Sequence, residues 1–144
     1  MAKTLTAANS VIMLTVEGLF DTPVQLQGFA ADDIFDTDQL ESAETVMGVD
    51  GKLSAGWVPA AVKQNFTLQA DSDSLPFFET WYSSQQAIRE LYIARGSIYL
   101  PAVGRKYAMN RGFLTNHSAT ASAKKILQPR KFMITWEALS SAEF

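Results

Sequence analysis

The stretch TVMGVDGKLSAGWVPAAVKQNFTLQ, residues 45–69, decides the fold of this chain because it contains three strand patterns in succession. Asp50-Gly51 lies between apolar-rich runs and predicts a two-residue type I′ hairpin turn, since that turn needs positive φ at both central residues. Pro59 interrupts the second run, and residues 61–70 then alternate apolar and polar side chains as a half-buried strand does. A long hairpin followed by another strand indicates a sheet built as a surface, which points to assembly rather than catalysis.

The predicted turn also fixes which side chains of the hairpin share a face. It places Met47 opposite Ser54 on one face and puts Val46, Leu53 and Trp57 on the other. Because the second face carries three large apolar side chains, it is predicted to pack toward the core. The first face is smaller and more polar and is predicted to point away from it.

The rest of the chain predicts short strands around a single helix. The strand patterns cover residues 11–16, 24–29, 97–100, 106–109, 112–117 and 131–137. The helix is predicted to begin after an N-cap at Ser74, with Pro76 in its first turn, and to end at Gly96. An apolar stripe is predicted to face the core from this helix, with the members Phe78, Trp81, Tyr82, Ile88, Leu91 and Tyr92.

Strands, one helix and further strands, in that order, predict a mostly β (α+β) fold class. We expect an antiparallel β-barrel or sandwich with one flanking α-helix and a long hairpin and loop. The 144 residues suffice for one core and show neither an internal repeat nor a linker, so residues 1–144 are predicted to form a single domain.

The charges of the chain are divided unequally between its two halves. Residues 1–73 contain three basic and eleven acidic residues, whereas residues 74–144 contain nine basic and four acidic residues. Two explanations are open. The uneven distribution of charged residues arises by chance and these residues form ion pairs within the chain, or acidic and basic surfaces of neighbouring copies complement each other in a head-to-tail assembly. The net charge of −3 argues against a basic domain that reads nucleic acid.

Motifs for catalysis or for cofactor and metal binding are not evident. His117 is the single histidine, and its neighbours predict an exposed strand end. The sequence has no nucleophile elbow, phosphate loop or dinucleotide fingerprint, and no cysteine. The acidic run that begins at Asp32 lacks the spacing, central glycine and final glutamate of an EF-hand loop. We therefore predict no enzyme activity, no cofactor and no metal site.

Several segments, taken in order, resemble the tail tube proteins of contractile-tailed bacteriophages. They are MGVDGKLSAGWVP (47–59), KQNFTLQADS (63–72), LPFFETWYSSQQAIRELY (75–92) and KKILQPRKFMITWEAL (124–139). The resemblance implies a β-barrel or sandwich that assembles as hexameric rings, which stack into a hollow tube for genome ejection. It also implies a position in the tail of the virion, with assembly in the host cytoplasm.

The resemblance further implies a set of partners. These are other copies of the chain, the tail sheath, the baseplate, a tape-measure protein, and phage DNA that passes through without specific binding. No apolar run approaches the roughly 20 residues of a membrane helix, so membrane insertion is not expected. Related tubes of non-contractile tails and of type VI secretion systems share the implied architecture, and the segments do not separate these relatives.

Two sets of surface residues follow as predictions for such a tube. A channel wall should offer DNA no row of cations, because lysine and arginine contacts hold phosphates. The candidate channel-lining residues are Gln25, Gln27, Glu41, Thr45, Met47 and Ser54; alternatively, this face is the outer surface under the sheath. The candidate inter-subunit residues are Asp32, Asp33, Asp36, Asp38, Arg105, Lys106, Lys124, Lys125, Arg130 and Lys131. Residues 29–41 and the hairpin 41–58 are predicted to carry much of the ring-to-ring contact.

Other functions remain open at this stage. A small-ligand-binding β-barrel would suit the aromatic content and would show an apolar cavity in a monomer. A tube protein of a secretion-like contractile injection system is a second alternative. A hydrolytic enzyme is disfavoured because no nucleophile, base and metal cluster is present in the sequence.

Overall fold

Nine strands and one helix form the part of the chain that the structure, a computed structural model, describes: residues 10–29, 34–120 and 122–143. The predicted inter-subunit residues Asp32 and Asp33 lie outside these ranges. In chain order the elements are β1 Val11–Val16, β2 Phe20–Gln25, β3 Phe35–Thr37, β4 Ala43–Met47, β5 Leu53–Trp57, β6 Val62–Leu68, α1 Leu75–Ile88, β7 Ala94–Leu100, β8 Arg105–His117 and β9 Arg130–Glu143.

Seven of the strands form one antiparallel sheet in the order β2-β1-β7-β8-β9-β6-β3. The long strands β8 and β9 pair from Arg105↔Glu143 to His117↔Phe132 and form the centre of the sheet. β4 and β5 form a separate two-stranded sheet. The predicted fold class, mostly β with one helix, is confirmed, but the sheet is not closed into a barrel because β2 and β3 remain as its edges.

The seven-stranded sheet curls around a single hydrophobic core. Ile12 and Leu14 of β1 are fully buried, and so are Phe66 of β6 and Trp136 of β9, from the other end of the strand order. Alternate residues of β1 are buried, as expected for a strand with one face on a core. Burial of both ends of the sheet in the same cluster makes the fold sandwich-like.

Helix α1 covers this core with its aromatic side. Phe78 and Trp81 are fully buried, and the Phe78 ring stacks on Phe132 of β9 at 4.3 Å between ring centroids. The predicted start is confirmed, with Ser74 as N-cap residue and a proline in the first turn. The Ser74 hydroxyl, however, accepts a hydrogen bond from the backbone N–H of Gln27 at 2.7 Å and does not cap the helix.

The predicted end of the helix at Gly96 is wrong. The helix ends at Ile88 because Arg89 adopts a left-handed conformation with φ 57°, and Gly96 lies within β7. Leu91, predicted to be part of the core stripe, follows the helix and is 58% exposed. Within the described ranges, none of the helical segments has the length and apolar character needed to cross a membrane.

Strand ends also extend beyond their sequence patterns. β2 begins at Phe20, four residues before the strand predicted over residues 24–29, and includes Pro23, whose missing N–H fits an edge strand. β9 continues to Glu143 because residues 138–143 keep pairing with β8, although Leu139 is the one large apolar residue among them. Hydrogen bonding by the neighbouring strand therefore extends elements where hydrophobic alternation stops.

We expect Gly112→Ala to destabilise the fold by about 1–3 kcal/mol through overpacking. Gly112 of β8 faces the indole of Trp136 across the strand pair, and an added Cβ would lie only 2.8 Å from Trp136 Cδ2. Gly56→Ala is the matched control because no atom lies within 4 Å of a Cβ there. Urea unfolding should place the control within about 1 kcal/mol of the unmodified chain. Equal stabilities for the two variants would contradict this packing.

Candidate assembly site

The turn that joins β4 and β5 contains three residues, not two. The N–H of Gly48 donates to the carbonyl of Lys52 at 2.8 Å, and the N–H of Gly51 donates to the carbonyl of Gly48 at 3.0 Å. Gly51 has φ 83°, the left-handed conformation that closes a three-residue hairpin loop, and Asp50 Oδ1 accepts from the N–H of Lys52. The prediction of a two-residue turn is therefore wrong.

The longer turn shifts the pairing of the hairpin by one residue. Thr45 pairs with Ala55, and Met47 pairs with Leu53 where the prediction had Met47 opposite Ser54. A shift of one residue moves every side chain of one strand to the opposite face. One face now holds Ala43, Thr45, Met47, Leu53, Ala55 and Trp57, and the other holds Glu44, Val46, Ser54 and Gly56.

Neither face of the hairpin packs on the core. All ten residues of β4 and β5 are exposed, including Val46 at 69%, Met47 at 64%, Leu53 at 58% and Trp57 at 77%. The prediction that the face with Leu53 and Trp57 is buried is therefore wrong for a single protomer. The two strands pair only with each other, so no main-sheet strand holds either face against the body.

We call β4, β5 and their turn the arm. A hydrogen bond from Asp38 N–H to the Lys63 carbonyl at 2.9 Å ties the segment before the arm to β6, and one from Val58 N–H to the Ser42 carbonyl at 3.0 Å closes the base of the arm. An isolated two-stranded hairpin is marginally stable in water, and exposed clusters of large apolar side chains mark interaction sites. The arm therefore has the properties of a surface that a partner covers.

The corrected pairing separates the predicted channel-lining residues. Thr45 and Met47 share the arm face with the large apolar side chains, whereas Ser54 lies on the opposite face. Glu41 is exposed close to the start of β4, and exposed Gln25 ends the edge strand β2. Gln27 is also exposed, beside the start of α1, where its backbone N–H binds Ser74.

A second exposed feature is the connection between β8 and β9. We call residues 122–129 the basic loop. A hydrogen bond from Gln128 N–H to the Ser122 carbonyl at 2.7 Å and a bridge between Ala123 and Leu127 hold it in a compact turn. Its tip presents Lys124 and Lys125, both exposed, and Ile126 at 75% exposure.

The other predicted inter-subunit residues are distributed over the surface. Asp36 of β3 accepts a hydrogen bond from Asn65 Nδ2 at 2.8 Å, whereas the side chain of Asp38 is exposed beside the arm. Lys106 is exposed and its Nζ lies 5.8 Å from the centre of the Tyr99 ring. Arg105 is exposed at the start of β8, and Lys131 is exposed next to the basic loop.

Arg130 is a correction to that prediction, because its partners lie within the same chain. Its side chain is 5% exposed, and its Nη1 lies 2.7 Å from Glu79 Oε1 of α1. Its Nη2 donates to the carbonyls of Ser118 and Ala119, at the end of β8. Arg130 thus joins β8, β9 and α1 beneath the basic loop and is not available to a neighbouring subunit.

A groove of about 290 Å³ bears on the ligand-carrier alternative. It lies between β3 and the ends of β7 to β9, with Leu100 and Tyr107 in its wall. Its amide side chain, Gln64, is already satisfied, since Nε2 donates to Thr37 Oγ1 and Oε1 accepts from Trp136 Nε1. Both ends of the Gln64 amide are therefore engaged by side chains of the same chain.

Comparison with protein-family models places the chain in a family. Residues 3–140 match the family described as tail fiber protein gp32, and because the match covers nearly the whole chain, this protein belongs to that family. A search of curated protein sequences finds no match.

Solved structures of contractile injection systems share this fold over the whole chain. A chain of the anti-feeding prophage baseplate aligns with a TM-score of 0.63 at 7% identity, covering 99% of this chain and 98% of the other. A chain of the anti-feeding prophage cap, which terminates the tube, aligns at 0.62 and 9% identity, covering 100% and 94%. A chain of the sheath–tube complex of the extracellular injection system PVC aligns at 0.61 and 8% identity, covering 98% and 93%. The resemblance to tail tube proteins is thereby confirmed at the level of the fold.

We expect Glu79→Gln to lower the free energy of unfolding by about 1–3 kcal/mol, because it leaves the buried Arg130 guanidinium without its charged partner. The Arg111–Glu137 pair provides the control, since its side chains are 62% and 66% exposed. Glu137→Gln should change the stability by no more than about 0.5 kcal/mol. Urea denaturation of both variants measures the difference. A Glu79→Gln midpoint equal to that of the control would show that Arg130 does not depend on Glu79.

Proposed function

We propose that this protein is a structural subunit of a tail tube, and that its arm is an assembly element completed by other copies of the chain. The observation that carries the proposal is the exposed apolar face of an arm that has no packing partner in the protomer. In a monomeric protein an exposed apolar face of this kind favours aggregation, whereas repeated subunits bury it at every contact. Membership of a tail protein family and the fold shared with chains of tube-bearing assemblies support the same role.

The proposed assembly is a hexameric ring that stacks into a hollow tube. The open sheet supports ring formation, because its edge strands β2 and β3 carry backbone groups that a neighbouring protomer can use. The proposed partners are a contractile sheath, a baseplate and a tape-measure protein, with phage DNA passing through the channel during ejection. The proposed location is the virion tail, reached by assembly in the host cytoplasm, and the role is structural and not enzymatic.

The alternative that fits the comparisons equally well is the tube of a secretion-like injection system. The solved structures that share the fold belong to injection systems. The two roles differ in what passes through the channel, a genome or a protein cargo, and not in how the subunit assembles. The assembly experiments below apply to both.

We place the channel wall on the arm face that carries Glu44 and Ser54. Its members are Glu44, Val46, Ser54 and Gly56, so it carries a carboxylate and offers phosphates no cation to bind. We leave Thr45 and Met47 out of the proposed wall, because they share a face with Trp57. Gln25 and Gln27 remain proposed wall residues outside the arm, whereas Glu41 lies at the base of the arm and is assigned below to the contact between subunits.

Assembly should change the fluorescence of one tryptophan. Trp57 is 77% exposed, whereas Trp81 and Trp136 are fully buried, so only Trp57 reports on the arm. Electron microscopy of the concentrated protein should show rings or tubes, and acrylamide quenching should fall when they form. Trp57→Phe is the control, and its remaining fluorescence should not respond to assembly. A featureless monomer at high concentration would contradict the proposed function.

Single cysteines should distinguish the wall of the channel from the surfaces between subunits. The chain has no cysteine, so Ser54→Cys and Thr45→Cys each introduce one reactive group on opposite faces of the arm. In assembled tubes Ser54→Cys should react with a small maleimide but not with a bulky one, and Thr45→Cys should react with neither. Ala87→Cys, on the exposed side of α1, is the control that reacts with both. Rapid bulky labelling of Ser54→Cys would place the acidic face on the outside.

A further inference from the structure

We infer that the basic loop of one subunit docks on the apolar face of the arm of a neighbouring subunit, with Ile126 seated between Trp57 and Leu53. The inference rests on the proposed function and names the partner of the arm as a second copy of this chain. Shape, apolar exposure and charge on the two surfaces each support it.

The apolar face of the arm has the shape of a notch. Its outer pairs are Ala43↔Trp57 and Met47↔Leu53, and its middle pair is Thr45↔Ala55. The small side chains of Thr45 and Ala55 form a floor, with Trp57 as the rim on one side and Met47 with Leu53 as the rim on the other. Directly opposed side chains of an antiparallel pair lie about 4.5–5.5 Å apart, so this floor is narrow. Such a notch accepts one branched aliphatic side chain.

The basic loop presents a side chain that fits this notch. Ile126 is 75% exposed and Leu127 is 58% exposed, at the tip of a turn that internal hydrogen bonds already hold. Gln128 adds a side-chain bond from Nε2 to the Ile126 carbonyl at 3.1 Å. A preorganised loop loses little conformational freedom on docking, which favours binding.

The arm region and the basic loop carry opposite charges. Residues 34–51, which include β3, β4 and the base of the arm, contain five acidic residues and no basic residue. Residues 122–131 contain four basic residues and no acidic residue, and among the described residues Arg130 is the one of these four whose side chain has an ion-pair partner in the protomer. Among the described residues, Lys124 and Lys125 have no ion-pair partner, and neither have Asp38 and Glu41. Docking Ile126 in the notch brings the two lysines toward this acidic base, and complementary charge fixes the orientation of the contact.

The arm and the basic loop are different patches of the surface. In a head-to-tail arrangement each subunit offers its arm to one neighbour and its basic loop to another, so the contact is heterologous. Contacts of this kind either close into rings or extend as filaments. The inferred docking therefore provides propagation, which a symmetric dimer contact does not.

Disulfide trapping tests the contact directly. A chain with Thr45→Cys is mixed with a chain with Ile126→Cys, assembled and oxidised; a disulfide requires Cα atoms within about 7 Å. We expect a covalent dimer in the mixture that neither chain forms alone. Ser54→Cys mixed with Ile126→Cys is the matched control, because residue 54 neighbours Ala55 but lies on the opposite face. Equal trapping by the control, or no trapping at residue 45, would overturn the inference.

Charge reversal gives an independent test. Lys124→Glu with Lys125→Glu should raise the concentration needed for assembly by about tenfold or more at low salt, and Asp38→Lys with Glu41→Lys should do the same. The chain that carries all four changes should recover. Lys63→Glu, an exposed change on β6, should have little effect. If the unmodified chain assembles and the four-change chain does not recover, the docking is wrong and the proposed function stands; if the unmodified chain does not assemble, both fail.

Discussion

The structure depends on one constraint: the arm is a pair of strands that cannot bury its own apolar side chains. The hairpin has neither a third strand nor a second layer to pack against. Both of its faces are exposed in the protomer, with Trp57 at 77%. The hydrophobic free energy of these side chains is therefore unrealised in the single chain and becomes available when a partner covers them. In the proposed assembly, burial of these side chains supplies the driving free energy of the contact.

The body of the protein holds the arm and the basic loop in defined positions. β6 follows the arm directly and is paired along its whole length with β9, which begins where the basic loop ends. Arg130 fixes this junction by joining the start of β9 to Glu79 of α1 and to the end of β8, while the stacked Phe78 and Phe132 rings hold the helix above it. A stable, curled sheet thus carries two exposed features whose own contacts are few. This division lets assembly proceed without rearrangement of the core.

The sequence predicts the elements of the body because burial produces their patterns. A continuous apolar run rich in β-branched residues identifies β1, alternation identifies β6, and the aromatic spacing with Ser74 and Pro76 identifies the start of α1. Prediction from hydrophobic patterns fails where burial does not determine the structure. Arg89 ends the helix through its left-handed backbone conformation, and pairing with β8 holds the last part of β9. Asp50-Gly51 is compatible with both two-residue and three-residue turns, and the choice between them moves Ser54 to the face opposite Thr45. The exposure of Leu53 and Trp57 also escapes sequence reasoning, because apolar residues for an interface resemble those for a core.

Amide hydrogen exchange of the arm tests most directly whether its order depends on assembly. Amides of β1 and β9 belong to the core and should be protected in every state, so they serve as the internal reference. In the dilute protomer, the amides of β4 and β5 should exchange far faster than this reference, because only the hairpin itself protects them. In the assembled form they should approach the protection of the core. Equal protection of the arm in the protomer and in the assembly would contradict the central claim that other copies complete this surface.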